Sequence, residues 1–158
     1  FQSALNTEMQ TVAYKGTAPA INDLMGGHID LLCDQTTNTS GQIEGKTVKA
    51  FGVTTLKPLT TKALSHLPTL HDSGLSGFNV TIWHGLYAPK GTPAAVLKTI
   101  NDGLKAALKN PEFIASQEAL GAVVATDARV NPAEHKRFVE SETKTWGAVI
   151  KASGSFAD

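Results

Sequence analysis

Apolar and polar positions change period several times along this chain, and each change marks an element. Met9-Gln10-Thr11-Val12-Ala13 alternates, the period of a half-buried strand. Ile21, Leu24 and Met25 then recur at helical spacing until Gly26-Gly27, which predicts a helix over 18–26. Ile29–Asp34 reads as a buried strand, residues 36–44 as a short helix ended near Gly45, and 47–55 as a strand carrying Val48, Ala50, Phe51 and Val53. Repeated β–α alternation predicts a parallel sheet and an α/β fold. Residues 1–6 read as the last turn of a helix. Residues 56–79 are irregular, punctuated by Pro58, Pro68, Gly74 and Gly77, with room for a short helix at 69–73.

Residues 78–88 form the longest strand candidate, closed by Pro89-Lys90-Gly91-Thr92-Pro93. Strands usually run about 5–6 residues, so this one suggests a segment crossing from one lobe to another. Beyond Thr92 the period is helical. Leu97, Ile100, Leu104 and Ala107 form one stripe, Asn110-Pro111 opens a second helix to Leu120, and Ala122–Ala125 is a short strand. Asn131-Pro132 starts a last helix that runs to about Ala152.

The change of period at Tyr14-Lys15-Gly16-Thr17-Ala18-Pro19 carries the clearest chemistry. A strand ends there and a helix begins, so backbone N–H groups at Thr17 and Ala18 lack helical partners. Thr17 suits an N-cap, Gly16 permits a close approach, and Pro19 is tolerated in the first turn. Such a helix start, beside a tyrosine and a lysine, can receive an anion. On their own the residues favour an ordinary β–α connection, since such turns are frequent in α/β folds. The polar run from Asp34 through Thr39 leaves the C-terminal end of a strand, where ligands gather in open α/β sheets, and Thr54 lies at the matching end of the next.

Composition narrows the function classes. The chain has 158 residues, 14 basic and 14 acidic, which leaves no basic stripe for nucleic acid. No apolar run approaches the roughly 20 residues of a membrane span. The start, Phe1-Gln2-Ser3, has neither initiator Met nor charged leader, as in a chain cut from a longer one. Cys33 is single and reads as a packed small hydrophobe. His28, His66, His71, His84 and His135 show no metal-ligand spacing, so no metal and no cofactor is expected. Gly45-Lys46-Thr47 lacks the upstream glycine of a phosphate loop, where Ser40 stands instead, and leads into a strand pattern. No nucleophile–base constellation assembles, so no catalytic residue is named. Trp83 reads first as core and second as a ligand wall.

Tyr-Lys-Gly-Thr-Ala-Pro, Gly-Gly-His-Ile-Asp-Leu, Val-Thr-Thr, Leu-Pro-Thr-Leu and Trp-His-Gly-Leu-Tyr-Ala-Pro-Lys-Gly-Thr-Pro occur in this order between about residues 1 and 154. Together they resemble the Bug-type periplasmic receptors of tripartite tricarboxylate transporters. The resemblance implies a type II-like periplasmic binding protein fold with two α/β lobes and a ligand cleft between them. It implies that residues 1–82 are the latter part of the second lobe. Residues 83–158 would be the hinge strand and the segment returning to complete the first. The N-terminal half of the family chain would be missing.

The resemblance further implies a non-enzymatic receptor that captures a small carboxylate and delivers it to membrane transporter subunits. The expected ligand-binding residues are Tyr14, Lys15, Gly16, Thr17, Ala18, Asp34, Thr36, Thr54 and Trp83. Asp34-Gln35-Thr36 departs from the frequent Asp-Asn pattern at that loop, which bears on selectivity. The alternatives are a small α/β hydrolase or transferase using Asp34 or His84, and a fold fragment without activity. Sheets without their N-terminal partners expose edges, so a complementing chain, an intertwined oligomer or poor solubility is expected.

Overall fold

The computed structural model of the protein describes residues 1–154. It contains six α-helices: α1 (Gln2–Leu5), α2 (Thr17–Met25), α3 (Thr36–Glu44), α4 (Ala94–Ala107), α5 (Pro111–Ala119) and α6 (Pro132–Ser153), with a 3₁₀ turn at Ala128–Val130. Each starts and stops where the sequence supplies a reason. Gly26 and Gly45 follow α2 and α3, and their N–H groups return to Asn22 and Gly41 carbonyls in the last turn. Pro111 opens α5, whose Phe113 N–H is capped by the Asn110 side chain at 2.9 Å. Asn131-Pro132 opens α6, and Gly154 closes it in the left-handed region at φ 67°. No helix among the described residues is long and apolar enough to cross a membrane.

The chain divides into two compact units. The first comprises Phe1–Trp83 and Ala115–Val123; the second comprises His84–Ile114 and Val124–Asp158. The segment 115–123 thus belongs with the first unit, and α5 runs from the second into the first.

In the first unit the core is Val53, Leu64 and Leu67, with Ile43, Ala50, Leu59 and Ala63 packed against it. A single parallel bridge, Val53 to Thr69, ties it together: Val53 N–H donates to Pro68 O at 2.9 Å and Leu70 N–H to Val53 O at 2.9 Å. Thr69 is fully buried and satisfied, since its hydroxyl lies 2.7 Å from Asp72 Oδ2 and accepts the Asp72 N–H at 2.9 Å. This turn, with Ser73 N–H returning to Thr69 O at 3.1 Å, stands where a short helix over 69–73 was expected. Gly121, at φ 79°, lets the chain pass against this unit. A Cβ there would lie 2.8 Å from Leu64 Cδ1 and 3.1 Å from Thr36 Cβ.

In the second unit, α6 packs on the 3₁₀ turn: the Arg129 guanidinium sits 5.1 Å from the Phe138 ring centroid. From α4, the Asn101 amide donates to Val130 O at 2.9 Å.

Two expectations need correction. The segments read as strands at 9–13, 29–34, 47–55, 78–88 and 122–125 are irregular, with bends at Asp30, Thr47, Val48, Thr54 and Thr55, and among the described residues only Val53 of these segments makes a β-bridge. Apolar alternation selects an extended backbone, whereas a strand also requires a neighbour to exchange hydrogen bonds with. Cys33 is exposed rather than packed, because the apolar run around it has no layer over it among these residues.

Candidate functional site

The start of α2 is built by the conformation of one residue. Gly16 is the N-cap, at φ 103° and ψ 172°, a region open essentially to glycine. That moves Thr17 inward by one position from the cap the sequence suggested: it is the first helical residue, Ala18 the second and Pro19 the third. No side chain caps this end. Its first-turn donors are therefore the N–H groups of Thr17 and Ala18, since Pro19 has none.

The start of α3 has no capping side chain either. Just before it, Asp34 Oδ1 accepts the N–H of the N-cap Gln35 at 2.6 Å. Asn38, one turn into α3, joins the two: its amide donates to Thr17 Oγ1 at 2.9 Å and to Asp34 Oδ1 at 3.2 Å. Because the Thr17 hydroxyl oxygen accepts from Asn38, its own proton is left to donate elsewhere. Thr17 and Asp34 are thus joined through one amide.

The other expected residues lie differently. Tyr14 is half-buried, and its hydroxyl donates to Asp23 Oδ2 at 2.7 Å, folding the ring back along α2. That bond, with some desolvation, raises the Tyr14 pKa above its usual value. Lys15 is exposed. Thr36 opens α3, but its side chain faces Gly121, and its carbonyl receives the Ser40 hydroxyl at 2.7 Å. Thr54 is committed elsewhere: its hydroxyl donates to Val80 O at 2.6 Å and its carbonyl accepts Val80 N–H at 3.0 Å. Trp83 is half-buried at the last residue of the first segment of its unit. A surface concavity lined by Ala4 and residues 74–78, and another that includes Glu44, Lys62 and Glu118, contain none of these residues.

Sequence reasoning missed Asn38 and Asp23. Asn38 follows Asp34 by four residues, one helical turn, and that spacing was the available signal. Asp23 is the acidic residue of a helix that otherwise carries small, apolar or amide side chains.

The family model described as tripartite tricarboxylate transporter family receptor matches residues 1–155. A UPF0065 protein from the TAR-I ttuE–ttuC′ intergenic region of Agrobacterium vitis is 40% identical over 153 residues, covering 97% of this chain and 44% of the relative. BugT of Bordetella pertussis is 25% identical over 158 residues, covering 98% of this chain and 46% of its own. Among solved structures, the periplasmic binding protein BugD superposes with a TM-score of 0.88 at 45% identity, over 97% of this chain and 50% of that one. MatC of Rhodopseudomonas palustris with bound malate gives 0.86 at 29% identity, over 94% and 50%. An R. palustris protein with adipate gives 0.87 at 29%, over 97% and 50%. The chain therefore spans about half the length of these relatives and carries about half of a periplasmic binding protein fold. With nearly every residue matched by the family model, the chain belongs to the receptor family of tripartite tricarboxylate transporters.

Proposed function

We propose that this chain forms part of a periplasmic solute-binding receptor that captures a small carboxylate and hands it, unchanged, to membrane transporter subunits. The observation that carries this reading is the start of α2, where Gly16 at φ 103° opens the helix with no capping side chain and the Asn38 amide, donating to Thr17 Oγ1, leaves the Thr17 proton to donate elsewhere. A ligand carboxylate would fill that open end. It would accept the N–H groups of Thr17 and Ala18 and the Thr17 hydroxyl, beside Tyr14 and Lys15. Asp34, itself anionic, would face a hydroxyl or a bridging water of the ligand. Thr36, Thr54 and Trp83 are the weaker members of the set, since Thr54 already donates to Val80. The bound malate and adipate of the two R. palustris proteins support a dicarboxylate class.

Magnitudes limit the affinity. A helix start contributes about 0.3–1 kcal/mol to an anion, and up to about 2 when partly buried. Charge-assisted hydrogen bonds add roughly 1.5–3 kcal/mol each. Association itself costs about 4–15 kcal/mol. Because the cost is of the same order as the gain, this half of the fold should bind only weakly on its own.

The test is a thermal-shift panel of malate, adipate and their uncharged diol counterparts, with proton NMR of each ligand after incubation. Stabilisation by the dicarboxylates alone, with ligand spectra unchanged, is expected. New product resonances, or equal stabilisation by the diols, would overturn the reading.

A further inference from the structure

Asn38 spends both hydrogens of its amide nitrogen on residues of the candidate site. One goes to Thr17 Oγ1 at 2.9 Å and the other to Asp34 Oδ1 at 3.2 Å. The carboxylate decides which way this amide faces. An ionised carboxylate only accepts, so the nitrogen of Asn38, and not its oxygen, must lie against Asp34. The other hydrogen then falls on Thr17, whose oxygen accepts and whose proton points away. Two capacities are left over. Among the described residues, the Thr17 hydroxyl donates to no group and Asp34 Oδ2 accepts from none, whereas Oδ1 takes both Asn38 and the Gln35 N–H at 2.6 Å. Thr17, Asp34 and Asn38 are each half-buried, within reach of a ligand. One amide thus holds a free donor and a free acceptor in fixed relation.

That arrangement discriminates between carboxylates. A ligand carboxylate at the start of α2 meets Asp34 as a like charge tied to the same amide. The repulsion is relieved when the ligand atom nearest Asp34 carries a hydrogen. A hydroxyl on the carbon next to the carboxylate supplies one, and its oxygen can also share the Thr17 proton; an ammonium can only donate. We infer that Asn38 is a positioning residue that sets the ligand class: by holding Thr17 as donor and Asp34 as acceptor, it makes the α2 end select a 2-hydroxy carboxylate over the same acid without the hydroxyl. This selectivity rests on the carboxylate site proposed above at α2. Asn38 acts in it only through Thr17 and Asp34.

Malate and succinate differ by that one hydroxyl. Amide NMR titrations of the 158-residue chain with each give two affinities, read at Thr17 and Ala18. Malate is expected to bind at least about fivefold tighter, the effect of about one hydrogen bond. Asn38→Leu keeps the bulk of the side chain and removes both donors. It should bring the malate-to-succinate ratio to within about twofold of unity, with resonances around Leu64 unchanged. Asp34→Asn keeps an acceptor for the Gln35 N–H and removes the charge, so succinate should gain on malate; should Asn38→Leu fail to fold, this ratio decides. The double variant should lose no more selectivity than either single one, because the two residues act as one unit. A merely structural tie between α2 and α3 would weaken both ligands alike, and an unchanged ratio in either variant would overturn the inference. So would equal affinities in the unaltered chain, which would leave the α2 reading standing. Thr17 and Ala18 resonances indifferent to both ligands would instead remove the α2 reading, and this selectivity with it.

Discussion

The two units of this chain are stabilised in different ways. Every buried side chain among the described residues lies in the first unit: Ala20, Ile21, Ser40, Val53, Leu64, Leu67 and Thr69. The second has none, and its α4 exposes Leu97 and Ile100, two members of the stripe that the sequence marked as apolar, as well as Val96. What holds the second unit locally is polar and aromatic: Asn101 on Val130 O, Arg129 over Phe138, and the Arg129–Asp127 pair at 2.6 Å. An exposed ion pair of this kind contributes little to stability. The same chain thus gives one unit with a small closed core and another whose α4 leaves apolar side chains exposed among the described residues.

Breaking the comparison at its strongest point gives the largest expected effect. Leu64 is 1% exposed, so Leu64→Ala should destabilise the first unit by about 2–5 kcal/mol through lost burial and the cavity left behind. Amide exchange should speed at Val53, Leu67 and Leu70 and hardly change in α6. Equal acceleration in both units would mean that they share one cooperative core. Next comes Gly121→Ala, whose Cβ would press on Leu64 and Thr36 while the backbone sits at φ 79°. Overpacking of this kind costs roughly 1–3 kcal/mol, read as a shift of the denaturation midpoint.

The smallest effect concerns the second unit. Arg129, by side-chain and backbone hydrogen bonds, holds Asp127 at about 2, below its ordinary 3.8. A carboxylate with a depressed folded pKa stabilises above its unfolded value and loses that contribution as pH falls through the folded one. The 3₁₀ turn at 128–130 should therefore loosen between about pH 4 and about 2, seen in the Arg129 side-chain resonances, with Asp127→Asn removing the dependence. Because Asp127 is exposed, the change should be confined to the turn.

The sequence was most legible where structure is local. Helix 36–44 lies where its caps put it, and α2, α4, α5 and α6 start and end within about two residues of their punctuation, the usual latitude for helix ends. Segments whose state depends on a neighbour were not legible. The run 29–34 has strand composition, but nothing in it says whether a partner strand or a covering layer is present, so both its ladder and the burial of Cys33 were misjudged. At the candidate site, Gly16-Thr17-Ala18 could be read from turn chemistry. The Asn38 bridge could not, because it depends on α3 lying against the start of α2, a relation between residues 21 apart. Thr54 looked available from its place at a strand end, yet its hydroxyl is taken by Val80 O across 26 residues.

The central claim is that the α2 start receives a ligand carboxylate, and amide NMR of the chain titrated with malate tests it directly. The account predicts saturable shifts at Thr17 and Ala18. Gly16→Val should abolish them: there is room for the side chain, but φ 103° strains any residue other than glycine. Resonances around Leu64 should stay unchanged, showing that the variant remains folded. Malate shifts absent from Thr17 and Ala18, or an unaltered titration in folded Gly16→Val, would contradict the claim.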